Sequence, residues 1–300
     1  MKPKITIILG QTATGKSDLA IKIAKRFNGE VISADSRQVY KGLDIGSGKI
    51  MEKEMRGVPH HLINVANPKK VFSVAEYKKL AEKAVEKIIR DGKVPIICGG
   101  TGFYIDALIN DIVLPKVPPN IKLRKVLEKK STQELFKILK KLDKRRAKNI
   151  DKNNPVRLIR AIEIAKALGK VPHLVLGVPS YDILKIGIKL SSEKLKNNIE
   201  KRLIKRLNSG MIKEVDNLHK SGLSYKRMRE LGLEYKFLAN YLNKKISKKE
   251  MVEGLYTAIC QYSKRQDTWF KRDKDIKWFN PTQKNFIKKT RNLVKKFLNK

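Results

Sequence analysis

Acid is what this sequence lacks most. Against 68 Lys and Arg stand only 29 Asp and Glu, which leaves a formal net charge of +39 over 300 residues. A chain this basic expects a polyanionic partner, and the charge is unevenly placed, which favours nucleic acid over a merely solvated lysine-rich surface. Cysteine is nearly absent. Cys98 and Cys260 cannot build a disulfide framework, and each sits among apolar residues, as reduced core thiols in a reducing compartment do. No run is apolar and long enough to span a bilayer. The charged start "MKPKITIILG" turns into a short strand, not a signal peptide. These absences predict a cytoplasmic protein with no membrane partner. Internal repeats and long low-complexity segments are missing too.

What is present is enough apolar residue, 41%, for a folded core in one large domain or two smaller ones. Residues 5–9, 31–34 and 94–98 are short apolar runs that read as buried strands. Residues 17–27 and 73–90 have helical periodicity, the second opened by a Ser-x-x-Glu capping box at Ser73 and Glu76. Strands alternating with helices predict an α/β fold with a parallel sheet wrapped on both faces. "LPKVPPN", residues 114–120, breaks the pattern with three prolines and marks a boundary. From 116 to 160 the chain is helical in period and carries sixteen Lys or Arg against four Asp or Glu. A second break at "LGVPSYD", 176–182, precedes a strand over 183–190 that returns to the sheet. Helices over 193–210, 211–220 and 248–270 and a basic tail from Asn285 complete the chain. The expected organisation is a core of residues 1–115 and 183–300 interrupted by a basic helical insertion, 116–182.

One motif carries chemistry at its face. Gly10-Gln11-Thr12-Ala13-Thr14-Gly15-Lys16-Ser17 fits G-x-x-x-x-G-K-S, between a strand and a helix. The glycines allow a tight turn with N–H groups pointing inward, and the helix N-terminus offers positive potential to an anion. Lys16 adds a mobile charge and Ser17 a hydroxyl for Mg²⁺. In an open parallel sheet, ligands bind beyond the carboxyl ends of the strands. Asp35-Ser36 and Gly99-Gly100-Thr101-Gly102 follow strands and belong on the same rim. Asp35 could organise Mg²⁺ in a nucleotide kinase or act as a general base, and spacing does not choose. His60 and His61, adjacent on an extended segment, point to opposite faces and would not share a metal ion. Trp269 and Trp278 read as packing residues.

The loop "GQTATGKS" with "SADSRQVYKGLDIGSGK", "GVPHHL", "CGGTGFYI", "NPVRLIRAIE" and "SKRQDTWF", in that order, resembles the tRNA dimethylallyltransferases, also called tRNA isopentenyltransferases. The resemblance implies a nucleotide-kinase-like P-loop core with an inserted helical domain. It implies transfer of a dimethylallyl group from dimethylallyl diphosphate to N6 of adenosine 37 in tRNA, with diphosphate released. Asp35 would be the general base. The loop, Lys16, Mg²⁺ on Ser17, and Arg202 in "NNIEKRLIKRL" would stabilise the leaving diphosphate. Thr101 would touch substrate near the reacting groups. Asp35, Ser36, Arg37, Gln38 and Thr101 would meet the flipped base and its neighbours. Lys122, Val156, Arg157, Leu158, Ile159 and Arg160, with Lys264, Arg265 and Gln266, would contact the anticodon stem-loop. The sequence departs from the family at Cys260 and Lys122, where relatives carry Arg, and at Asp151, where they often carry His. Two rivals fit less of the chain. A nucleotide kinase needs an arginine-rich lid that the sequence lacks. An RNA-dependent NTPase needs a second acid after the strand at 94–98, where Gly99-Gly100 stand. A monomer is the expected state.

Overall fold

The apolar run KITIILG folds as β1 (Lys4–Gly10), in the middle of a sheet, and is buried along almost its whole length. In this computed structural model, residues 2–173, 177 and 180–300 are described. Among them, β1, β2 (Gly29–Ala34), β3 (His60–His61), β4 (Val94–Gly99), β5 (Asp182–Ile188) and β6 (Lys277–Phe279) form one sheet in the order β3-β2-β4-β1-β5-β6. Every pairing is parallel. Both faces are covered, which is why these strands read as continuous apolar runs without alternation. Ile5, Ile7 and Leu9 point to one face, with Ile32 and Ile97. That face is covered by α3 (Val74–Arg90) and α4 (Gly102–Ile109). Ile8, Val31, Ile96 and Ile186 point to the other, under α1 (Lys16–Arg26) and α14 (Phe286–Leu298).

The capping box expected at α3 forms in full: Ser73 Oγ accepts from the Glu76 N–H at 3.2 Å, and Glu76 Oε2 accepts from the Ser73 N–H at 2.7 Å. The short helix α2 (Glu52–Met55) precedes β3. A helical layer of α9 (Ser192–Asn208), α10 (Met211–Lys220), α11 (Tyr225–Leu231), α12 (Leu233–Leu242) and α13 (Lys248–Phe270) builds its own core around Leu203, Met211, Tyr235, Leu238 and Leu255. Met1–Asp111 and Val178–Lys300 together form one compact unit. Ile112–Gly177 forms the other, from α5 (Ile121–Leu127), α6 (Thr132–Leu142), α7 (Lys144–Lys148) and α8 (Pro155–Leu168), around Leu135, Leu139, Leu158 and Ile162. The break expected over 176–182 lies partly outside the described residues. Among the described residues no helix is long and apolar enough to cross a membrane.

Candidate active site

A parallel sheet puts all its carboxyl ends on one rim, and that rim carries a cavity of about 550 Å³. Its walls are the residues that leave the strands: Thr12 to Asp18 after β1, Asp35 after β2, Gly99-Gly100 at the end of β4, Leu190 after β5, and Pro281-Thr282 after β6. The strands that follow β1 in sequence, β2 to β4, lie on one side of it and β5 and β6 on the other, so the glycine-rich loop stands at the switch point.

The loop turns through two left-handed residues, Ala13 at φ 60° and Gly15 at φ 88°, and then enters α1. Glycine adopts that conformation freely, while alanine does so only when its surroundings hold it there. Three side chains from distant helices provide the hold. Gln11 Nε2 donates to Ser263 Oγ at 3.1 Å, the Thr12 N–H donates to Gln266 Oε1 at 2.8 Å, and Asn198 Nδ2 donates to the Ala13 carbonyl at 3.1 Å. Lys16 Nζ donates to the Gln11 carbonyl at 2.5 Å. Burial, with the neighbouring Arg202 and against the opposing pull of Cys98 and Asp35, lowers the Lys16 pKa to about 8. The Cys98 thiol, buried at the end of β4 and hydrogen-bonded by Ser17, is pushed up to about 11 by the same desolvation and stays protonated. Cys98 is therefore a wall of the cavity and not only a core thiol. Cys260 is half-buried and free, hydrogen-bonded by Tyr256.

Asp35 opens a turn in which its Oδ1 accepts the Arg37 N–H at 2.8 Å and the Gln38 N–H at 3.3 Å. Its Oδ2 makes no hydrogen bond among the described residues. Thr101 does not line the cavity. It caps α4, and its Oγ1 accepts the Ser36 N–H at 3.1 Å, which ties the Asp35 turn to β4. Arg202 lines the cavity, and among the described residues no hydrogen bond or ion pair engages its guanidinium. Desolvation, then the neighbouring Arg206, hold its pKa below the ordinary arginine value. Lys194, Asn198, Lys201 and Arg202 all face the cavity from α9. Their spacing of four, seven and eight from the first puts them on one helical face, a periodicity present in the sequence itself. The arrangement sets an electropositive loop and a cationic helix face beside Asp35, whose Oδ2 is free among the described residues.

The IPP transferase family model matches residues 38–273. The chain belongs to this family. A tRNA dimethylallyltransferase 2 of Treponema denticola is 46% identical over 276 residues, which is 90% of this chain and 92% of that protein. The tRNA dimethylallyltransferase of Anoxybacillus flavithermus is 38% identical over 98% of this chain and 96% of its own. The crystal structure of the tRNA isopentenylpyrophosphate transferase of Bacillus halodurans is similar at a TM-score of 0.76 and 35% identity, covering 99% of this chain and 97% of that one. A eukaryotic dimethylallyltransferase solved acting on tRNA reaches 0.79 at 25% identity, over 99% of this chain and 80% of its own.

The residues that resemblance to this family assigned to RNA fall into different environments. Arg37 Nη1 donates to the Ser36 carbonyl at 3.0 Å, and Gln38 lines the cavity. Lys264 and Arg265 are exposed on α13, Arg265 over the Tyr262 ring at 5.9 Å. Gln266 is different: it is 6% exposed, with both ends of its amide bonded inside the fold. In the second unit Lys122, Val156 and Arg157 are exposed. Leu158 and Ile159, expected to touch RNA, are core side chains at 0% and 8% exposure, because positions 158 and 159 of the helix face its neighbours. Arg160 Nη2 donates to the Val117 carbonyl at 2.8 Å, and its Nη1 reaches Glu163 at 3.3 Å. Trp269 donates to Asp106 at 2.9 Å, and Trp278 packs against Gly187, being 37% exposed.

Among the described residues no three His, Cys, Asp or Glu side chains gather as a metal cage. His61 instead pairs with Glu30 at 2.6 Å, and His60 lines the cavity. The cavity does offer the Ser17 hydroxyl and the Asp18 and Asp35 carboxylates. Mg²⁺ keeps several waters and takes one or two protein oxygens with substrate phosphates, so this donor set fits an ion that arrives with a diphosphate.

Proposed function

We propose that this chain, a tRNA dimethylallyltransferase by family, transfers the dimethylallyl group of dimethylallyl diphosphate to N6 of adenosine 37 in tRNA, giving N6-isopentenyladenosine and diphosphate. The observation that carries the reading is the pairing, in one cavity, of an anion-binding loop with a carboxylate whose Oδ2 is free. The diphosphate sits on the loop N–H groups and the start of α1, with Lys16 and the unpaired Arg202 guanidinium on its oxygens. The adenine N6 is a poor nucleophile because its lone pair is delocalised into the ring. As the N6–C bond forms, the allylic C–O bond breaks and its electron pair leaves with the diphosphate. Asp35 Oδ2 accepts the proton that N6 must lose, a contribution of ~10²–10⁴-fold. Ser17 would hold Mg²⁺, which supplies further charge neutralisation on the diphosphate when bound, and Asp35 Oδ2 stays free for the proton.

The nucleotide must leave its stack to reach a carboxylate set in the cavity wall. Ser36, Arg37 and Gln38, next to Asp35, are placed in sequence to meet the flipped base. Lys122, Val156, Arg157, Lys264 and Arg265 offer exposed contacts to the anticodon stem-loop. We read the protein as a cytoplasmic monomer. The test is one incubation of protein, Mg²⁺ and unmodified tRNA bearing A36 and A37, with dimethylallyl diphosphate or with ATP, followed by nucleoside mass spectrometry. A prenyl mass on adenosine only with dimethylallyl diphosphate is expected. ATP consumption without a prenyl product would overturn the reading.

A further inference from the structure

The two polar groups of the Gln266 amide bridge two backbone segments that the fold must hold in register at the rim. Oε1 accepts the Thr12 N–H at 2.8 Å, and Nε2 donates to the Gly100 carbonyl at 2.9 Å. The amide fills the space a side chain on residue 100 would need: a Cβ built there would lie 2.2 Å from Gln266 Nε2. One turn earlier on α13, Ser263 accepts from Gln11 Nε2 through both its Oγ at 3.1 Å and its carbonyl at 3.2 Å. The Gln11 carbonyl in turn accepts from Lys16 Nζ at 2.5 Å and Thr14 Oγ1 at 2.8 Å. A chain of hydrogen bonds thus runs from α13 through Gln11 to the one lysine of the loop. The next residues on α13, Lys264 and Arg265, face outward and are exposed.

We infer that Gln266 is a positioning residue for the diphosphate loop and not an RNA contact: its amide fixes Thr12 against Gly100 and so sets where Lys16 and the start of α1 meet the leaving group. The Thr12 N–H is spent on this brace, so the anion is met by the later N–H groups of the loop. Both amide arms matter for different reasons. The acceptor arm orients the loop, and the donor arm fixes the amide's own rotation against β4. The inference rests on the donor-site reading of the loop.

The test compares two ligands on three proteins. Binding of inorganic diphosphate and of unmodified tRNA is measured for wild type, Gln266→Leu and Gln266→Glu, well below each melting temperature. Gln266→Leu removes both arms, and it is expected to weaken diphosphate binding and raise the KM for dimethylallyl diphosphate roughly tenfold, the scale of losing a buried hydrogen bond or two. Its tRNA Kd stays within about twofold of wild type. Gln266→Glu keeps the acceptor for Thr12 but sets a carboxylate oxygen against the Gly100 carbonyl, and it lands between the two. If the leucine variant does not fold, Gln266→Glu and Ser263→Ala carry the same comparison. Unchanged diphosphate affinity, or a loss confined to tRNA, overturns the inference and returns Gln266 to the RNA surface. Wild-type protein that fails to bind diphosphate removes the donor-site reading itself, and the inference with it.

Discussion

Lys16 should make the proposed donor site pH-sensitive in a range where few lysines titrate. Its ammonium is desolvated in the cavity wall and meets the Arg202 guanidinium, and together these bring its pKa from an ordinary 10.5 to about 8. A diphosphate binds the charged form, so affinity follows the protonated fraction in the free protein. That fraction is about 0.9 at pH 7 and about 0.1 at pH 9, so this group alone weakens diphosphate binding ~tenfold between them, about 1.4 kcal/mol. A lysine at 10.5 would change by only a few per cent over the same range. The ligand also titrates, so the useful quantity is the ratio of affinities for wild type and Lys16→Met, in which ligand ionisation cancels. Isothermal titration with inorganic diphosphate at pH 7, 8 and 9 should show this ratio falling about tenfold. Wild-type binding near pH 8 should also take up more protons than the variant, visible in buffers of different ionisation enthalpy. A ratio that stays constant to pH 9 would refute the desolvated-lysine argument, because Lys16 would then be solvated or already paired.

Asp35→Asn keeps the oxygen that accepts the Arg37 and Gln38 N–H groups, so the turn survives while the proton acceptor is lost. Single-turnover rates should fall ~10²–10⁴-fold with tRNA affinity nearly unchanged, and a rate within threefold of wild type would end the base assignment. Arg202→Ala removes a guanidinium without hydrogen-bond partners among the described residues, so thermal melting should hold while kcat drops ~10²–10³-fold. An unchanged kcat would leave Arg202 a solvated helix residue. tRNA affinity should fall steeply with salt, and Arg265→Ala or Arg157→Ala should each lower the slope of log K against log salt by about one. A flat salt response would reduce the net charge of +39 to surface bias.

The strands that carry the site were legible because they are buried on both faces. The runs at 5–9, 31–34 and 94–98 differ from β1, β2 and β4 by no more than two residues at an end. β3 and β6 were not legible. They are edge strands of two and three residues, "HH" and "KWF", too short to show any period. The loop and Asp35 were legible because their position follows from strand ends in a parallel sheet. The braces Asn198, Ser263 and Gln266 were not, since each acts on a group of the loop more than 180 residues away in sequence. Resemblance could name "SKRQ" as a unit but not divide it. Lys264 and Arg265 face solvent while Ser263 and Gln266 face the loop, a split set by the turn of one helix. Leu158 and Ile159 divide from Val156 and Arg157 in the same way.

A loop of this kind on a sheet rim serves phosphoryl transfer as readily as diphosphate release, so what stands opposite decides the chemistry. A nucleotide-hydrolysing site needs an acid just past β4, and the packing here leaves no room for one. A Cβ on Gly99 would lie 2.1 Å from the Ala34 carbonyl oxygen, a backbone atom that pairs with the neighbouring strand and cannot give way. At Gly100 the space is taken by a side chain instead, with a Cβ lying 2.2 Å from Gln266 Nε2. Among the described residues the acid beside the loop on the β2 side is Asp35, whose Oδ1 is committed to its own turn and whose Oδ2 is open. A carboxylate so held has an oxygen available for the base role proposed above. The steric closure of β4 and the opening at β2 are therefore both compatible with the proposed reaction, in which the substrate brings its own nucleophile and the loop holds what departs.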